Sequence, residues 1–319
     1  MSDTTLTLRR QIASADDLHS VVRTMKALAA ANIGQYDQAV RALGDYTRTV
    51  ELGLAACFRQ APPVGAEPRA RRAPQRLGAI VFGSDQGLVG QFNDVVADYA
   101  LRRLAELPGA AALWAVGERV YARLQDAGHE PVGLFGVPNS VAAITALVGE
   151  IQLDTEAHRE RYGYARMYVF HNQPRSRAAY APVGQRLLPL DARWQQRLRA
   201  IGWPGPNLPQ VVDGAGALRA LIREYLFISL FRACAESLAS ENGSRLAAMQ
   251  RAEKNIGELK EQLTRTYHRQ RQNAIDDELF DVIAGYELLT DGKRAQSNRS
   301  DEHGMTQPGP LQQPGSISS

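Results

Sequence analysis

The chain has 319 residues, 44% of them apolar and 22% charged, so it reads as an ordinary folded protein with room for one large or two smaller domains. A net charge of +3 is too small to argue for nucleic acid or an anionic membrane surface, and the 33 arginines are scattered among acids. The two cysteines, Cys57 and Cys234, stand in no metal or CxxC spacing, which argues against a disulfide framework and for packed thiols in a reducing compartment.

Prolines divide the chain. None falls in residues 1–61 or 210–307, and thirteen of the sixteen lie between those stretches. Both proline-free ends carry helical periodicity, which predicts two very long helices with a compact domain inserted between them. Such a layout spans or transmits, and it rarely does chemistry.

The N-terminus has no signal-peptide core, and no run approaches the ~18 apolar residues of a membrane span. The expectation is a soluble, intracellular protein that reaches a membrane only through partners. Stepping by seven from Leu8 gives Ala15, Val22, Ala29, Tyr36, Leu43, Val50 and Cys57, with Leu18, Met25, Ala39 and Tyr46 three places on and Ile12, Ile33, Val40 and Leu54 flanking. A seven-residue repeat held this long keeps one seam facing a partner helix and favours left-handed supercoiling. The first helix is expected over residues ~6–58, about 80 Å at 1.5 Å per residue, and stops at Pro62-Pro63.

A basic linker, Pro68-Arg-Ala-Arg-Arg-Ala-Pro-Gln-Arg76, leads into the middle. It reads as a surface loop, with an anionic partner as the alternative. Strands are expected at 77–82, 111–117 and 164–171, helices at 92–107, 118–127 and about 140–160, and the unit closes with 185–190. Alternation of this kind means a parallel or mixed sheet with helices on its faces. Gly83-Ser-Asp-Gln-Gly-Leu-Val-Gly90 follows the first strand, where α/β folds bind phosphates. It is neither GxGxxG nor a P-loop, so a tight packing turn is the better reading. The six histidines form no metal spacing, and no nucleophile elbow or cysteine–histidine arrangement appears. No catalytic, cofactor-binding or metal-ligating residue is expected.

The second long helix should start after Asp213-Gly-Ala-Gly216, capped by Asp213 or the glycines. Leu218 to Phe231 is apolar nearly all round, which predicts burial on two sides. Met249, Ala252, Ile256, Leu259 and Leu263 then form a stripe. His268 to Asn273 is polar on every face, and Ile275, Leu279, Ile283 and Tyr286 resume an apolar face. Ending near 289, this helix overshoots the first by roughly 30 Å. An apolar stripe with no intramolecular partner points to another protein.

Four segments resemble one family. Leu8-Arg-Arg-Gln-Ile-Ala-Ser14 with Val22-Arg-Thr-Met-Lys-Ala-Leu-Ala-Ala30 resembles the opening helix of the gamma subunit of F-type ATP synthases. Ser84-Asp-Gln-Gly-Leu-Val-Gly-Gln-Phe-Asn93 is similar to its "SDRGLCGxxN" turn. Glu236 to Met249 resembles "ESxASExxARMxAM", and Arg271 to Gly285 resembles "RQxxITxElxEIvxGA". The resemblance spans about residues 6–289 and implies a long antiparallel coiled coil of the N- and C-terminal helices with an inserted Rossmann-like α/β domain. The expected domains are residues 1–60, a linker at 61–76, the α/β domain at 77–209 and the second helix at 210–290; residues 291–319, rich in Ser, Gly, Gln and Pro, run past the usual family end and are expected to be a disordered tail.

The family further implies a non-catalytic rotating shaft within an α3β3 hexamer, coupling ATP synthesis or hydrolysis to ion translocation. The α/β domain would be a foot touching the epsilon subunit and the membrane c-ring. No nucleic acid and no direct membrane insertion are implied, and the place is peripheral, on the cytoplasmic face of a bacterial inner membrane. Met25 matches a methionine facing the β-subunit lever, and Arg245 an arginine of the network supporting it. Arg271 and Gln272 match a pair contacting a β loop, and Glu278 an acid in the neighbouring helix. Met25 also reads as a plain seam residue, whereas the polar collar around Arg271 and Gln272 has no intramolecular explanation. Val89 in place of the turn's Cys, Asp276 in place of Thr and a nearly charge-balanced first helix suggest a divergent branch such as the alternate bacterial F-type ATPases. The competing readings are a nucleotide-binding α/β enzyme with coiled-coil arms and a passive coiled-coil scaffold.

Overall fold

An apolar repeat with no helix breaker gives α1 (Asp3–Gln60) and α6 (Gly214–Glu302). The computed structural model describes residues 3–60, 76–175, 180–190, 192–207 and 213–302. Along α1 the expected seam holds: Ala15, Ala29, Tyr36, Val50 and Cys57 are buried, and Leu8, Val22 and Leu43 are half-buried. Leu18 and Tyr46, expected beside it, are exposed at 57% and 45%. At the start of α6 the Asp213 carboxylate accepts from the Gly216 N–H at 3.2 Å, capping an otherwise orphan donor. The helix end expected near 290 moves to Glu302, so residues 291–302 are helical rather than a disordered tail. That stretch contains no proline to stop the helix. The basic segment 61–75 and residues 303–319 lie outside the described residues.

The chain divides into two compact units. One comprises the ends of α1 and α6, through His19 and from Ile256. Within it Asp16 pairs with Lys260, and from His268 to Glu287 only Ala274 is even half-buried. The other unit is Ser20–Asn255. There α1 and α6 run antiparallel, as the order of their contacts shows: Lys26 with Glu253, Thr47 with Arg232, and Tyr46 with Glu224.

The inserted domain of this second unit is a five-stranded sheet in the order β3-β2-β1-β4-β5. Its strands are β1 (Arg76–Phe82), β2 (Ala111–Val116), β3 (Gly133–Phe135), β4 (Tyr164–Pro174) and β5 (Tyr180–Leu188). β1 pairs in parallel with β2 and β4, β2 in parallel with β3, and β5 returns antiparallel to β4. Sheets covered on both faces require continuous apolar strands, and Leu77-Gly-Ala-Ile-Val-Phe82 is one. Leu77, Ala79 and Val81 pack under α2 (Phe92–Ala105) and α3 (Glu118–Asp126). Ile80 and Phe82 point the other way, into a core shared with Trp114, α4 (Val141–Tyr162) and the two long helices. α4 begins at Ser140, whose hydroxyl accepts from the Ala143 N–H, and ends at left-handed Gly163, whose N–H reaches Arg159 O. A third cluster packs Trp194 and Leu198 of α5 (Ala192–Ala200) on Val50, Leu54, Phe58 and Ile228. β3, the first half of β5 and α5 add to the expected elements.

Candidate functional site

The strand order reverses between β1 and β4, and the crevice beyond their carboxyl ends is where open α/β sheets hold ligands. Here α6 lies in that crevice. Ser244 donates its hydroxyl to Val89 O of the turn after β1, and Ser240 donates to Asn172 O at the end of β4. The glycine-rich turn is tied to its neighbours. Ser84 N–H goes to Asn93 Oδ1, and the Asp85 carboxylate accepts from the N–H groups of Glu118 and Val137. Gly83 is obligatory because a Cβ there would stand 2.4 Å from Val120 Cβ. Gly117, at φ +114°, would press a Cβ against the Ser84 backbone. The turn therefore works as a clamp that joins three loops to α6.

Next to it is a pocket of about 340 Å³ that holds two of the expected contact residues, Met25 and Arg245. Leu28, Asn32, Tyr36, Asp85 and Glu241 are among its other lining residues. Met25 is half-buried on α1 and Arg245 half-buried on α6, so the fold does bring this pair together. Arg245 donates to Glu241 Oε1 at 2.6 Å, one helical turn back. Sequence reasoning missed Glu241; the i,i+4 spacing of an acid and an arginine was the available signal.

Burial raises the Glu241 carboxyl above the ordinary 4.5, Arg245 pulls it back, and Asp85 adds to the rise. A carboxyl that binds its proton more tightly in the fold stabilises below its unfolded value, and that contribution is lost as pH rises through the folded value. Glu241→Gln removes the effect. In denaturant melts of the full chain, the stability difference between variant and wild type should shift in the variant's favour between about pH 5 and about pH 8. A difference that stays constant with pH would contradict the assignment.

The other three expected residues, Arg271, Gln272 and Glu278, lie in the first unit, all exposed on α6. Around and beyond them Ile275, Leu279, Phe280, Val282 and Ile283 are 46–69% exposed, a concentration of large apolar side chains that water disfavours. Among the described residues there is no group of three or more His, Cys, Asp or Glu placed to hold a metal ion, and no helix is long and apolar enough to cross a membrane.

Comparison with known proteins bears on these surfaces. The family model described as ATP synthase matches residues 4–289. The chain is similar to the ATP synthase gamma chain of Moorella thermoacetica, 27% identical over 295 residues, covering 88% of this chain and 98% of that one. It is also similar to the ATP synthase gamma chain of Rhizobium johnstonii, 28% identical over 293 residues with the same coverage. Its fold is similar to a chain in the cryo-EM structure of the Euglena gracilis mitochondrial ATP synthase, OSCP/F1/c-ring, rotational state 3. That match has a TM-score of 0.62 at 19% identity over 91% of this chain and 96% of that chain. A chain of the rotor of the same enzyme in rotational state 1 gives 0.58 at 17% identity, over 85% and 99%.

Proposed function

The chain belongs to the ATP synthase gamma-chain family, and from that premise we propose how its surfaces serve the complex. It is a non-catalytic component of the central stalk of an F1Fo ATP synthase, a peripheral part of that membrane-associated enzyme. Its partners are the F1 alpha and beta subunits, the epsilon subunit and the membrane c-ring. The observation that carries this reading is the family match across the whole helix–domain–helix sequence, residues 4–289.

In our reading the exposed collar and tip of α6 enter the α3β3 hexamer. Arg271 and Gln272 present a charged fork and an amide to a β-subunit loop, with Glu278 two turns on. The apolar side chains from Ile275 to Ile283 then turn within an apolar bearing, where their burial offsets the cost they incur in water. In the second unit, Met25 and Arg245 flank an open pocket fitted to receive the β-subunit lever, with Glu241 holding the Arg245 guanidinium in place. Rotation of the shaft drives the three catalytic sites through different states without contributing a reacting group. We place the subunit on the cytoplasmic face of a bacterial inner membrane.

Assembly tests the proposal. The full chain, co-expressed with the α and β subunits of its own source, should copurify with them as a defined complex that hydrolyses ATP. A chain that stays monomeric beside an assembled α3β3 hexamer would rule it out.

A further inference from the structure

The deepest stretch of α6 carries five polar side chains. Residues 233–243 are buried without interruption, yet they include Glu236, Ser237, Ser240, Glu241 and Asn242. Glu236 and Ser240 face the end of β4, where three successive polar residues await them. His171 Nε2 donates to Glu236 Oε2 at 2.8 Å, and Gln173 Nε2 donates to the same oxygen at 3.2 Å. Ser240 donates to Asn172 O at 2.9 Å, while the Asn172 amide donates to Phe92 O at the start of α2, also at 2.9 Å. His171 and Asn172 are 4% and 0% exposed.

Such a seam is a poor way to gain stability. Taking a carboxylate and an imidazole out of water costs several kcal/mol, and well-packed apolar side chains of the same volume commonly do as well or better. His171 Nδ1 and Asn172 Oδ1 are buried here with no hydrogen-bond partner among the described residues, which adds to the cost. What directional bonds supply and apolar contacts do not is a unique register. A helix packed on a sheet only by aliphatic side chains can slide or turn by a ridge at little cost. One tied at successive turns to adjacent residues of one strand cannot move without leaving buried polar groups unpaired.

We propose that His171, Asn172 and Gln173 with Glu236 and Ser240 are positioning residues. They form a register lock that fixes the foot domain on the shaft and carries torque between them. The inference rests on the central-stalk reading. In a stalk the foot and the shaft are loaded in opposite senses, so the junction has to resist sliding as well as separation. The lock lies in the crevice that other sheets of this topology leave for a ligand, with α6 taking the ligand's place.

The test uses the full chain assembled with its α and β subunits and membrane sector. His171→Leu with Glu236→Met replaces the central pair by apolar side chains. The thermal midpoint and ATP hydrolysis should persist, while ATP-driven ion pumping is lost. Spin labels at Arg102→Cys and Gln250→Cys, both exposed, should give one narrow distance in the wild-type background and a broadened or split distribution in the double variant. Glu236→Gln alone, with His171 in place, keeps an acceptor for the imidazole and should retain pumping. If the double variant does not fold, Gln173→Leu with Ser240→Ala removes two outer bonds and should still lower pumping relative to hydrolysis. Full pumping with an unchanged distance distribution, in either folded variant, would overturn the lock. A wild-type chain that neither assembles nor pumps would instead overturn the stalk reading.

Discussion

Replacing Arg271 and Gln272 together by alanine is expected to cut the ATP hydrolysis of the assembled complex by on the order of tenfold or more while leaving the subunit's own melting curve in place. The two halves of that expectation have separate physical grounds. Both side chains are exposed on α6, and surface substitutions away from caps and buried networks usually change stability by no more than about 0.5 kcal/mol. In an interface the same groups would be desolvated against a β-subunit loop, where truncating an arginine anchor commonly costs 2 kcal/mol or more. Hydrolysis rate and thermal midpoint, measured on one preparation, separate the two effects. Unchanged hydrolysis would remove the collar from the working contacts.

Trp114→Ala should be the most damaging change in the foot. The ring is fully buried, packs edge-on against His158 and Tyr164, and donates its Nε1–H to Asp154 at 2.6 Å. Removing it leaves a cavity between β2 and α4 and an unpaired acceptor, together worth roughly 3–5 kcal/mol. Whole domains are stable by only about 5–15 kcal/mol, so the foot should unfold far more readily than the wild type. Calorimetry of the full chain should show the loss as a lowered transition. A midpoint within a few degrees of wild type would mean that the sheet face is held mainly by the long helices instead.

The helices were legible because their code is redundant. Eight seam positions from Leu8 to Cys57 repeat one message, and all eight are at least half-buried. The strands with continuous apolar runs, β1 and β2, were equally plain. What escaped was short or chemically mixed. β3 is three residues long, too few to show a period, and Tyr180-Ala-Pro-Val-Gly184 interrupts any alternation with a proline and a glycine. Apolarity marked Leu218–Phe231 of α6 as packed on two sides, and it is: Leu218, Leu221, Ile222 and Tyr225 pack with α5 and the end of α1, and Leu226, Phe227, Leu230 and Phe231 with the sheet core. Apolarity did not mark 233–243, where burial is most complete and acids find partners.

The proposed contact residues were legible only through the family resemblance. On their own letters, Met25 is one more seam residue and Arg245 one more helix arginine. Their convergence on a single pocket depends on α1, α6 and the turn after β1 meeting in three dimensions. His171 and Glu236 lie 65 residues apart and follow no motif spacing, so a sequence pattern could not join them. The collar is different. Its significance is a mismatch, polar on all faces and then apolar again on a helix expected to outlast its partner, and such mismatches are visible in one dimension.

The shaft is expected to rotate within the hexamer. Immobilise the α3β3 hexamer assembled with this chain, attach a probe to an exposed foot position such as Arg102→Cys, and supply ATP. Unidirectional turning is expected, with three dwell positions per turn, one for each catalytic site. Sustained ATP hydrolysis with a stationary or randomly diffusing probe would contradict it.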